Sequence, residues 1–69
     1  MSKHTQYATI VTTIDKGKYD QRRIAKLSNR QTDLNMHALE GFVVVNTITI
    51  NEEDDVLIVD TLSKTTDND

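Results

Sequence analysis

Six of the eight lysines and arginines fall between positions 16 and 30: Lys16, Lys18, Arg22, Arg23, Lys26 and Arg30. Cations gathered this closely suit an anionic ligand. Arginine's planar fork matches a phosphate with two parallel hydrogen bonds, lysine adds a point charge, and an aromatic ring such as Tyr19 offers a stacking surface. Arg22 and Arg23 are therefore the leading candidates for ligand contacts, with Lys18, Lys26 and Arg30 in support and Tyr19 beneath a ring or base. The competing reading is a solvated segment whose charge balances the acidic remainder of the chain. Apart from Asp20 the acids lie outside this segment, gathered chiefly in the run Glu52, Glu53, Asp54 and Asp55 and at Asp67 and Asp69, and the formal net charge is -3.

Other chemistry-bearing residues form no comparable group. His4 and His37 have no third ligand at metal-site spacing, so no metal is expected. The run Glu52–Asp55 lacks the spacing and glycine of a calcium loop, and its ordinary role is to keep a hairpin tip wet. Asp60 interrupts an apolar run, and Asn46 or a ligand across a sheet would be its partner. There is no glycine-rich phosphate loop, nucleophile elbow or cysteine nucleophile. The expectation is a protein that is not an enzyme and has no cofactor.

These residues must be positioned by very little protein. A 69-residue chain buries only about 60% of the surface it exposes unfolded, and no cysteine is present to staple it. With 36% hydrophobic residues and no long apolar run, a self-sufficient core is not expected. Burial against further copies of the chain, as a homodimer or higher oligomer, is the expected remedy. No membrane partner is indicated, no leader peptide is read at the start, and a cytoplasmic location is expected.

The pattern predicts an α+β domain of order β-α-β-β, a three-stranded, mainly antiparallel sheet with one helix on one face. Tyr7 to Ile14 is rich in β-branched residues, with Ala8, Ile10 and Ile14 on one side. Phe42 to Ile50 and Val56 to Leu62 read as a hairpin around a charged loop, apolar on both faces. Between them, Gln31 to Glu40 is helical and Gly41 is the stop, because a residue just past a helix end commonly needs positive φ. Residues 19–29 admit two readings. Ile24 and Leu27 could extend the helix, in one stripe with Leu34 and Ala38, or they could belong to an irregular connection ending at a Ser28 cap. The poor helix propensity of Ser28 and Asn29 favours the connection. Residues 1–6 are expected to be a flexible terminus, 7–62 the single domain, and 63–69 a disordered acidic tail.

At Leu34-Asn35, and through Ala38-Leu39-Glu40-Gly41-Phe42 to Val45, the sequence resembles a family of small uncharacterised bacterial and phage domains. In that family a strand precedes a helix with a Leu-Asn start and an Ala-Glu-Gly-Trp-like end, followed by a two-stranded hairpin. Here Leu39 intervenes between Ala38 and Glu40, and Phe42 stands where tryptophan is usual. The resemblance implies the fold and carries over no catalytic residue.

Three functional classes follow. One is a small binding module sequestering a compact anionic ligand, in the way of phage-encoded proteins that capture nucleotide-derived immune signals; its place would be the host cytoplasm. The second is a nucleic-acid-binding accessory or regulatory factor, which the net charge of -3 disfavours. The third is a module that blocks a host protein through a sheet edge.

Overall fold

The computed structural model describes residues 2–17 and 20–68. The chain runs β1 (Ser2–Asp15), α1 (Asp20–Leu39), β2 (Val43–Asn51) and β3 (Asp55–Asn68). The three strands form one antiparallel sheet of order β1-β3-β2, so the last strand lies in the middle. This is the expected small α+β architecture.

α1 packs over β1. The face beneath it carries Ile10, Thr12, Asp60 and Leu62, all buried, with Ile10 directly opposite Asp60 and Ala8 opposite Leu62. Ile10 and Leu62 are the only buried hydrophobic side chains among the described residues. On β2, Val44 faces Leu62 and Thr47 faces Asp60, with Val45 the extra residue between them. That bulge breaks strict alternation along the strand. Val44 therefore shares the helix side with Thr47, whereas unbroken alternation would group it with Ile48 and Ile50.

The helix is longer than expected. It begins at Asp20, so residues 20–29 are helical and the irregular connection is corrected. Ser28 and Asn29 sit exposed in its middle, and the Thr32 hydroxyl donates to the Ser28 carbonyl at 3.1 Å. Their weak propensity costs only a few tenths of a kcal/mol each, less than the contacts that Arg30, Leu34 and His37 make by turning one side of the helix inward.

The helix end follows the sequence closely. Gly41 has φ +96°, Phe42 N–H donates to His37 C=O and Gly41 N–H to Ala38 C=O, both at 3.0 Å. This is a Schellman cap, and its usual side-chain contact is present, with the Phe42 ring edge-on to His37 at 5.6 Å. His37 Nδ1 is 2.7 Å from the Asp33 carbonyl, one turn back, which needs the proton on that nitrogen. From β3, the Lys64 ammonium lies 5.8 Å from the Phe42 ring centre.

The two ends of the chain are also paired. Ser2 to Gln6 align with Lys64 to Asn68, where a flexible terminus and a disordered tail were expected. Polar composition misled there: each segment supplies the other's backbone partners, and together they prolong the sheet as a two-stranded ribbon. The molecule is thin and long, with principal extents of 53 × 21 × 10 Å.

Candidate functional site

Asp60 is completely buried in the middle of the central strand. Burial of a carboxylate is costly unless charge and hydrogen bonds meet it. Arg30 descends from α1 and donates Nε to Asp60 Oδ2 at 2.7 Å and Nη2 to Oδ1 at 2.8 Å. Across the strand pair, the Thr47 hydroxyl donates to the same Oδ1 at 2.8 Å. The Arg30 hydrogen bonds hold the carboxyl below the usual carboxylate range against the opposing effect of burial, with Thr47 assisting. The same bonds raise the Arg30 guanidinium. The triad ties the helix to the middle strand and the middle strand to β2.

The sequence signal for this site was a lone acid inside Val56–Leu62. It required a partner, and Asn46 was the expected one. The register puts Asn46 opposite Thr61 on the other face and Thr47 opposite Asp60. Thr47 was missed because the bulge that turns it inward leaves no mark in the residue types.

The predicted ligand residues are distributed as follows. Arg23 is exposed and its Nε approaches the Asp15 carbonyl at 3.4 Å, where β1 ends. Lys26 is exposed one turn further on. Arg30 joins the Asp60 pair, so its charge is largely spent inside the protein. Lys18, Tyr19 and the side chain of Arg22 lie outside the described residues.

Lys26 and Arg30 line an open groove of about 270 Å³ between α1 and the outer strand β1. Its helix wall also has Asn29 and Asp33, and its strand wall has Val11, Thr12 and Thr13. The volume is near the small end of the range for ligand sites. Amide, hydroxyl and ammonium donors meet there beside a single carboxylate, so the arrangement can bind a small polar anion by hydrogen bonds and charge. Among the described residues no group of three metal-ligating side chains occurs.

At the far end, the β2–β3 loop is closed by Glu52 N–H donating to Asp55 C=O at 2.8 Å. A hydrogen bond with the Asp55 carboxyl, reinforced by its charge, holds the Glu52 carboxyl above its ordinary range. No helix among the described residues is long and apolar enough to cross a membrane.

No protein-family model matches the chain, and neither do the curated proteins or the solved structures compared with it. Of what the expected resemblance implied, the structure shows the strand-helix-strand-strand layout alone.

Proposed function

We propose that this chain is a non-enzymatic binding module that sequesters a compact anionic, nucleotide-derived ligand at the basic first half of α1. The observation that carries this reading is the groove in which Lys26 and Asn29 stand over the Thr12 and Thr13 positions of β1. Arg23 is exposed one turn earlier on the same side of the helix. With Arg30 neutralised by Asp60, the unspent positive charge of this region belongs to Lys16, Arg23 and Lys26 among the described residues, joined in sequence by Lys18 and Arg22. A groove of this size suits a mononucleotide-sized ligand better than a duplex backbone. The expected setting is a cytoplasm, that of the host if the protein is phage-encoded.

Titration calorimetry of the full chain against linear and cyclic nucleotides tests the proposal. Each charge-assisted hydrogen bond to phosphate contributes about 1.5–3 kcal/mol, so Arg23→Ala/Lys26→Ala and Arg22→Ala/Arg23→Ala should each weaken binding by at least about tenfold. Silence of the wild type across the panel, or undiminished affinity in both variants, refutes it. A steep fall of affinity with salt and a preference for duplex would instead support the nucleic-acid alternative. The blocking-module alternative draws on β1, an edge strand that pairs only with β3 among the described residues, an arrangement suited to strand addition.

A further inference from the structure

The sheet has a second face, turned away from α1. In register across β1, β3 and β2 it presents the row Val11–Val59–Ile48, and beside it Leu57 opposite Ile50. Val11, Ile48 and Ile50 are 58%, 49% and 43% exposed, although such residues normally supply a core. Strand positions on this face from Tyr7 to Thr13, Leu57 to Thr65 and Val43 to Ile50 hold no charged residue. Charge returns only at the two ends, with Lys3 opposite Asp67 at one and Asp15 opposite Asp55 at the other.

Surface area gives the scale. A compact folded chain of 7.8 kDa exposes about 4,400 Å², whereas this one exposes 5328 Å². The excess of roughly 900 Å² is close to the 800 Å² or so that each partner contributes to an interface of standard size. The radius of gyration, 14.9 Å, likewise exceeds the roughly 11 Å of a compact domain of this length.

We infer that this bare face is the interface with a second copy of the same chain, stacked sheet on sheet. The uncharged face is self-complementary: turned over onto its own copy, it buries apolar residues without trapping a charge. A two-fold axis along the strands would lay the Asp15–Asp55 end upon its own copy. An axis across the strands sets that acidic end over the neutral Lys3–Asp67 end, and this is the arrangement the charges select. The exposed flank of α1 at Ile24 and Leu27 is the rival surface. It is a narrow stripe broken by Gln31, whereas the sheet face is continuous over three strands. The inference is kept distinct from the ligand reading at Ile48 and Ile50, which lie on this face and do not line the groove, whereas Val11 borders both.

The test is sedimentation of the full chain at micromolar concentration. The wild type should sediment as a dimer of the 7.8 kDa chain. Ile48→Lys/Ile50→Lys, placed where a single copy is already open to solvent and outside the groove, should weaken association by at least about 100-fold, and Ile24→Lys should leave it unchanged. A wild-type monomer, an unaffected double variant, or dissociation by Ile24→Lys alone overturns the inference. Should the double variant not fold, isotope-filtered NMR of mixed-label wild type decides: intermolecular contacts among the Val11, Ile48, Ile50 and Val59 methyls support it, and their absence refutes it.

Discussion

Replacing Arg30 by methionine should be among the most damaging single changes in this protein. Among the described residues the guanidinium is the only countercharge to Asp60, at 2.7 and 2.8 Å, and Asp60 is completely buried. Deleting one member of a buried pair typically costs about 3–5 kcal/mol, because the other charge stays behind. A domain of 69 residues has a total stability of roughly 3–10 kcal/mol, so half or more of it is at stake. The pH dependence makes the reasoning sharper. In the wild type the folded Asp60 pKa lies below its unfolded value, mainly through the Arg30 hydrogen bonds. Its stabilising contribution is therefore complete above the unfolded pKa of about 3.9 and is lost as pH falls through the folded value. Without Arg30, burial dominates and pushes the carboxyl up. The variant should then gain stability on acidification from neutral pH, opposite in sign to the wild type. Urea unfolding followed by far-ultraviolet circular dichroism between pH 3 and 7, at fixed protein concentration, measures both slopes. Arg30→Met/Asp60→Leu should recover most of the loss, since an apolar pair leaves no stranded charge. Parallel pH profiles for wild type and Arg30→Met, or a cost below about 1 kcal/mol, would show that the pair does not hold the fold together.

Thr47→Val should cost about 1–3 kcal/mol by removing a donor to the buried carboxylate, read as a lower urea midpoint with an unchanged slope. Gly41→Val should be far more harmful than Gly17→Val, by about 1–3 kcal/mol of backbone strain, because only Gly41 takes a left-handed conformation. Each kcal/mol corresponds to roughly 4–8 °C in a domain of this size, so equal thermal midpoints would contradict the Schellman cap. Phe42→Ala should also lower the midpoint, through loss of the His37 and Lys64 contacts, while leaving the helix boundary detected by NMR chemical shifts at Leu39.

The element order, the strand cores and the helix stop were legible in the sequence because each depends on local rules. β-branched runs commit Ile10 to Ile14 and Val43 to Ile50 to extended backbone, and glycine alone reaches the φ of Gly41 without strain. The limits of α1 were less legible: Ser28 and Asn29 carry a propensity penalty that the inward contacts of Arg30 and Leu34 overcome. The ribbon of Ser2–Gln6 with Lys64–Asn68 joins segments some sixty residues apart, and nothing within either segment declares its partner.

The candidate site divides in the same way. By itself the sequence determined that cations crowd residues 16–30, that both hairpin faces are apolar, and that Asp60 is an acid out of place. Only the tertiary structure decided which cation answers Asp60. A bulge at Val45 turns Thr47 inward, and the helix register sets Arg30 above the middle strand. Arg30 thereby leaves the set of free cations and becomes part of the framework, while Arg23 and Lys26 remain on the surface. Charge pairing is a matter of distances across the fold, fixed by strand order and helix placement, and a list of residue types does not contain those distances.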